Sequence, residues 1–373
     1  VMKKILLRLP ACITLLLTIF ISQAQTTVFS EEFTVSQGVN YTTTNGFIGT
    51  SSWRNIRSGA DFGSSISSNR LTLTNDATTQ ANAIGWVLAY TNTDDFATPY
   101  NSTLSANPGI VTWTFNMRQS RANPSGFASN GYGIAFILAG TTGTTNLTGT
   151  GYAVTLGNVG STDPVRLVRY DAGIRNNTTL ITSNTSGLTD FGTHYISVKV
   201  TYNPASNTWQ LFVRNDGLSA PANPASGTMT SQGTTINSAY TSSNLGILGA
   251  YYNAAANTKK TSFFNYVKLT VVSPMISSIS PDAKISGTGP FTLTVNGSGF
   301  LNGFSNVRWN GSSRTTTYIS PNQLSASISA NDISTSGTAE VTVVNSNFTS
   351  NPLTFTIDPA GSPSLTLSAT TLN

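Results

Sequence analysis

The side chains that carry most acid-base, thiol and metal chemistry are nearly missing from this 373-residue chain, which holds one His (His194), one Cys (Cys12) and three Glu (Glu31, Glu32 and Glu340). His194 has no acid or nucleophile at a spacing that suggests a triad. No His/Cys cluster has metal-ligand spacing, so neither a metal nor a cofactor is expected. Glu31 and Glu32 are adjacent, and neighbouring residues of a strand point to opposite faces. A retaining glycosidase needs two carboxyls about 5–5.5 Å apart, which a strand supplies from i and i+4, and no Glu-x-Asp-x-x-Glu run occurs. Asp94-Asp95, beside Asn92 and Thr93, offers oxygen ligands for calcium, but the same run reads as a polar turn. The chain is therefore predicted not to be an enzyme.

With catalysis set aside, aromatic side chains are the candidates for ligand contact. Trp53 lies in the polar run Ser51-Ser52-Trp53-Arg54-Asn55-Ile56-Arg57-Ser58-Gly59-Ala60-Asp61. A ring flanked by Arg54, Asn55 and Asp61 has the makings of a sugar-stacking platform, and packing over a sheet edge is the competing reading. Trp86, Trp113, Trp209 and Trp309 stand in apolar or alternating runs and are predicted to be core.

The N-terminus reads as a Sec-type signal peptide over residues 1–24: Lys3, Lys4 and Arg8, an apolar run from Ala11 to Ile21, then Ser22-Gln23-Ala24. That run is too short to span hydrocarbon and nothing later is comparably apolar, so no membrane span is expected and the protein is predicted to be extracellular or at the cell surface. Cys12 leaves with the leader, which rules out disulfides in what remains. Without the leader cations the 19 Lys and Arg become 16 against 14 Asp and Glu, and the net charge of +5 falls to +2. No run of like charge marks a nucleic-acid or anionic membrane surface; neutral polar partners fit better.

What must position any site is β structure. Period-two alternation recurs from Phe29 onward, as in Val111-Thr112-Trp113-Thr114-Phe115-Asn116-Met117 and Ile196-Ser197-Val198-Lys199-Val200-Thr201-Tyr202, each predicting a strand with one apolar and one polar face. The second runs into Asn203-Pro204-Ala205-Ser206-Asn207 and out through Trp209, Leu211 and Val213, the signature of a hairpin. No window carries a helical stripe. Strands of this kind over about 250 residues predict one large sandwich across residues 25–273. A boundary follows at Val271-Val272-Ser273-Pro274, with a linker short enough to hold the next domain close. Pro/Gly/Ser-rich residues 358–363 mark a further boundary, after which Ser364-Leu365-Thr366-Leu367-Ser368 reads as the opening strand of a truncated domain.

Ile276-Ser277-Ser278-Ile279-Ser280-Pro281, then Phe291 to Phe300, Val307-Arg308-Trp309-Asn310-Gly311, Gln323 to Ile328 and Gly337 to Asn345 occur in the order of an IPT/TIG domain, an immunoglobulin-like sandwich. Residues 274–358 resemble that family, which implies a spacer or protein-docking module; the DNA contacts of some relatives need a basic edge that Arg308 and Arg314 do not make. Phe29-Ser30-Glu31-Glu32-Phe33, Gly131-Tyr132-Gly133-Ile134-Ala135-Phe136-Ile137-Leu138, Gly151 to Asn158 and the Trp209 hairpin more loosely resemble the concanavalin A-like, laminin G-like jelly rolls of secreted Bacteroidetes-type proteins. That resemblance implies a sugar-binding surface. Legume-type lectins place a ligand Asp before the Gly of the Gly-x-Ala-Phe strand, where this chain has Tyr132. Calcium-free binding is therefore expected, with Tyr132 joining Trp53, Arg54, Asn55 and Asp61 as candidate contacts. The expectation is an all-β recognition or adhesion segment that binds an extracellular polysaccharide or glycan. The alternatives are an accessory region of a secreted hydrolase or lyase, or a matrix module with protein partners.

Overall fold

The computed structural model describes residues 25–40, 46–48, 52–75, 85–127, 132–141, 148–254, 260–346 and 348–361. The leader with Cys12, and the run 364–368, lie outside the described residues.

Two antiparallel sheets face each other across the first domain. The nine-stranded sheet runs, edge to edge, through Thr230–Ile236, Thr208–Gly217, Tyr195–Asn203, Val111–Gln119, Lys260–Val272, Arg70–Asn75, Phe62–Ser67 and Gln37–Asn40, and its ninth strand, Gln25–Glu31, also pairs with Lys260–Val272. Lys260–Val272 changes neighbour along its length: residues 260–264 pair with Arg70–Asn75 and residues 267–272 with Gln25–Glu31. The switch falls where Tyr266 takes a positive φ of 48° and the register with Val111–Gln119 shifts. Such bulges let one strand serve two partners by bending it. The eight-stranded sheet runs through Asn177–Thr182, Val165–Tyr170, Gly151–Leu156, Gly133–Gly140, Ile247–Ala254, Gly85–Asn92, Arg54–Ser58 and Gly46–Phe47.

Aromatic rings from both sheets fill the space between them. Trp209 stacks on Tyr152 of the opposite sheet at 4.2 Å and on Trp113 at 5.9 Å, and Phe115 lies 4.0 Å from Phe136 across the core. Two of them are hydrogen-bonded as burial demands: Trp209 Nε1 donates to the Asn237 carbonyl at 3.0 Å and Tyr152 Oη to Asn237 Oδ1 at 2.8 Å, whereas the buried Trp113 Nε1 has no partner. The predicted hairpin forms with Tyr202 opposite Trp209, and its turn residue Asn207, at φ 50°, takes a hydrogen bond from Tyr202 Oη at 2.7 Å.

The two sheets differ in what they show outward. The nine-stranded sheet keeps the predicted alternation, apolar inward and polar outward. Gly133–Gly140 and Ile247–Ala254 in the other sheet are buried at every residue. Its outer face carries a second apolar cluster that includes Trp86, Leu88, Tyr90, Ile137, Tyr170 and Tyr251, roofed in part by Phe127 and Ile174 from connecting loops. A strand covered on both sides loses the hydrophobic period of two.

The second domain packs the sheet Met275–Ser280, Phe291–Ser298, Gln323–Ile328, Thr316–Ser320 against a six-stranded one built on Gly337–Asn345. Its separate core centres on Leu293, Val295, Trp309 and Phe355. Ala283–Ile285 runs parallel to Leu353–Asp358, every other pairing being antiparallel among the described residues. The domains abut: buried Asn345 donates from Nδ2 to the Pro108 carbonyl of the first domain at 2.7 Å and to the Gly299 carbonyl at 2.8 Å. Two successive all-β sandwiches are thus what the alternating sequence predicts.

Candidate ligand-binding groove

The five candidate contacts do not form one site. Trp53 is 0% exposed; its ring meets Phe33 edge-on at 5.2 Å and lies 6.4 Å from Phe29. A ring enclosed in the core has no face left for a sugar, so the stacking platform is overturned and packing prevails. Asn55 is likewise fully buried, while Arg54 remains half-buried on the same strand and Asp61 sits in the turn before Phe62–Ser67. Tyr132 lies at the start of Gly133–Gly140. Two strands, Gly85–Asn92 and Ile247–Ala254, separate that strand from Arg54–Ser58, a lateral offset of about 14 Å. One face of the Tyr132 ring is covered by the Arg121 guanidinium 3.8 Å from its centroid, and its hydroxyl donates to the Asn123 carbonyl at 3.2 Å.

The scarce chemical side chains are also structural. Glu31 accepts the Phe33 amide at 2.7 Å, the ring of His194 meets Asn215 at 2.9 Å through Nδ1, and Asp94 and Asp95 are exposed in the short 3-10 turn Thr93–Asp95. Among the described residues no group of three His, Cys, Asp or Glu side chains is placed to hold a metal. Asp163, not singled out by its sequence context, is the most perturbed carboxyl. It is 0% exposed, neither oxygen has a hydrogen-bond partner, and burial, then the charge of Asp190, pushes its pKa up to about 7. Perturbed acids mark active sites when a substrate can reach them; here solvent reaches neither oxygen.

The surface that does gather outward polar groups is the outer face of the nine-stranded sheet. Cross-strand pairing aligns Thr201, Thr112, Thr270 and Thr27 in one row over four neighbouring strands, and Lys199, Thr114, Lys268 and Ser30 in the next. Each is the outward partner of core residues such as Val200, Trp113 and Leu269. The segment joining Thr208–Gly217 to Thr230–Ile236 rises beside these rows, and Pro224, Ala225, Gly227 and Met229 close a groove of about 350 Å³ over Thr112, Thr114, Thr201 and the two lysines. A smaller hollow of about 130 Å³, lined by Glu32, Asn223 and Tyr266, shares Thr114, Ala225 and Lys268 with it.

That wall is tied to the sheet by one buried ion pair. Arg214 Nε lies 2.6 Å from Asp216 Oδ1, and the Asp216 side chain is only 1% exposed. Asp216 Oδ2 accepts from Ser197 Oγ at 2.7 Å and Asn116 Nδ2 at 3.1 Å. Arg214 also donates to the carbonyls of Asn223 and Ser226 within the wall. Fully hydrogen-bonded pairs of this kind fix geometry more than they add stability.

A second crevice of about 290 Å³ lies between the domains, with Phe300, Leu301 and Tyr318 on one side and Ile110, Asn203 and Ser206 on the other. Arg314, offered by the second domain's sequence as a cation, is paired with Asp332 at 3.0 Å.

Residues 274–357 match the family model described as the IPT/TIG domain. No curated protein matches the chain. Among solved structures it is similar to arcelin-5, a lectin-like defense protein from Phaseolus vulgaris, at 15% identity and a TM-score of 0.39, over 66% of this chain and 97% of arcelin-5. Two winged bean lectins are similar at the same 66% coverage of this chain. The basic lectin, solved with Tn-antigen, has 12% identity, a TM-score of 0.40 and 98% of its own chain covered. The acidic lectin, complexed with methyl-α-D-galactose, has 10% identity, a TM-score of 0.40 and 99% covered.

Proposed function

We propose that this chain is a secreted, non-catalytic recognition segment that binds carbohydrate along the groove of the nine-stranded sheet, with the IPT/TIG-like domain as a fixed spacer. The observation that carries the reading is the double row of outward hydroxyl and ammonium groups beneath a clamped wall. Saccharide hydroxyls both donate and accept, and threonine hydroxyls answer them in either sense. A volume of about 350 Å³ falls within the usual range of ligand sites. The ion pair under the wall holds it in place before a ligand arrives, which lowers the ordering cost of binding. Among the residues lining the groove and the adjoining hollow, Glu32 of the hollow is the carboxylate, and glycoside hydrolysis calls for two carboxyls flanking the bond. The Asn345 bond to Pro108 across the junction favours a spacer that sets the groove's orientation.

The test is a glycan array probed with the full chain and with a groove-filling variant, Thr114→Tyr, whose fold is checked by circular dichroism. Tyr suits a strand, so the expected result is loss of glycan binding in a folded protein. Glycan binding unchanged by the substitution would place the site elsewhere. Reducing sugar released in proportion to purified protein would make the segment an enzyme.

A further inference from the structure

We infer that the saccharide taken by this groove is acidic, its carboxylate or sulfate seated over Thr114 between Lys199 and Lys268. The inference rests on the groove being the saccharide site and adds the chemical class of the ligand. Thr114 pairs with Lys199 on one neighbouring strand and with Lys268 on the other. The two lysines therefore stand one on each side of it, with backbones about 10 Å apart. Four-carbon stems of that separation converge easily on one anion between them.

The two ammonium groups lack a counter-charge where they stand. Among the described residues no carboxylate lies within 4.0 Å of either, whereas Arg214, Arg169 and Arg314 each have an aspartate partner. Glu32, at the far end of the adjoining hollow, is also beyond that distance from Lys268. The Lys199 ammonium sits 3.8 Å from the centroid of the Phe212 ring, and burial lowers its pKa from the usual lysine value. A partly desolvated cation gains from an anion brought beside it, and the Lys199 stem, now laid over Phe212, is long enough to swing toward Thr114; a charge-assisted hydrogen bond is roughly twice as strong as a neutral one. The threonine row Thr201, Thr112 and Thr270 lies one residue pair further along the same strands, where it meets the neutral hydroxyls of the sugar ring or its neighbour. An isolated inorganic anion would leave that row unused.

The experiment is isothermal titration of the full chain with tetragalacturonate, with its fully methyl-esterified form, and with a sulfated galactan tetrasaccharide. Each is run on the native chain and on Lys199→Gln, Lys268→Gln and Thr114→Tyr. The acid tetramer or the sulfated one should bind at least tenfold more tightly than the ester, and whichever binds names the acidic group. Each lysine substitution should weaken acid binding by about tenfold or more and ester binding by much less, and 0.5 M salt should weaken acid binding further. Acid and ester bound equally, both lost in Thr114→Tyr, would overturn the acidic ligand while keeping the groove. Binding of any probe indifferent to Thr114→Tyr would overturn the groove and the acidic ligand together. Failure of all three probes to bind at millimolar concentration would overturn the acidic ligand.

Discussion

Replacing Asp163 by Asn should stabilise the first domain, and only at neutral to alkaline pH. The carboxyl is fully buried with both oxygens unpartnered, and burial, reinforced by exposed Asp190, lifts its pKa from 3.8 to about 7. The folded protein therefore holds a proton that the unfolded chain releases near pH 4, so stability falls as pH rises from about 4 to about 7 and stays low above it. Each tenfold change in acidity is about 1.4 kcal/mol, which puts an upper figure on the order of 4 kcal/mol on folding with the group ionised. The amide of Asn brings its own unsatisfied polar atoms, at about 1–3 kcal/mol, so the expected net gain at pH 8 is roughly 1–3 kcal/mol. At pH 4 the two proteins should agree or the variant be slightly weaker. Urea denaturation followed by tryptophan fluorescence at both pH values measures the difference. An Asp163→Asn protein less stable than native at pH 8 would refute the reasoning, because it would mean that the ionised carboxylate has a stabilising partner; repeating the titration with chelator would show whether that partner is a metal ion.

Three further outcomes follow from the packing. Trp53→Ala should cost about 3–5 kcal/mol by opening a cavity beside Phe33, lowering the melting temperature without selectively altering glycan affinity in the protein that stays folded. Arg214→Met strands the buried Asp216 charge and should cost about 3–5 kcal/mol, with new protease cleavage within residues 218–229 as the more specific readout. Asn345→Ala removes the bonds to the Pro108 and Gly299 carbonyls and should loosen the two domains, seen as an increased radius of gyration by small-angle scattering with little change in circular dichroism.

The strands most legible in the sequence are those with one wet face. Val111–Met117 and Ile196–Tyr202 alternate because their polar members lie on the sheet's outer face, where they meet the polar wall or the groove and not the apolar core. Gly133–Gly140 does not alternate because Phe136 enters the central core while Ile137 enters the outer cluster. Trp53 misled for a related reason: Arg54, Asn55 and Asp61 suggest exposure, yet local composition cannot report that Phe29 and Phe33 close over the ring. The groove was written in the sequence only as a phase. Lys199 stands between Val198 and Val200, Thr114 between Trp113 and Phe115, and Lys268 between Val267 and Leu269, so all three are fixed to an outward face. That they share one row is a matter of register between distant strands, set by bulges such as the one at Tyr266.

The pairing of Gln25–Glu31 with the end of Lys260–Val272 has a mechanical meaning for anything that tethers. Gln25 lies opposite Val272, so tension entering the first domain at one end and leaving toward the second at the other pulls two adjacent strand ends apart. Antiparallel hydrogen bonds run perpendicular to the strands and in this geometry are loaded one after another, as a zipper is, rather than together in shear. The first domain should yield at low force by peeling its first strand, leaving the groove's three remaining threonine-bearing strands, Tyr195–Asn203, Val111–Gln119 and Lys260–Val272, still paired. The sheet's groove would then outlast the loss of its first strand.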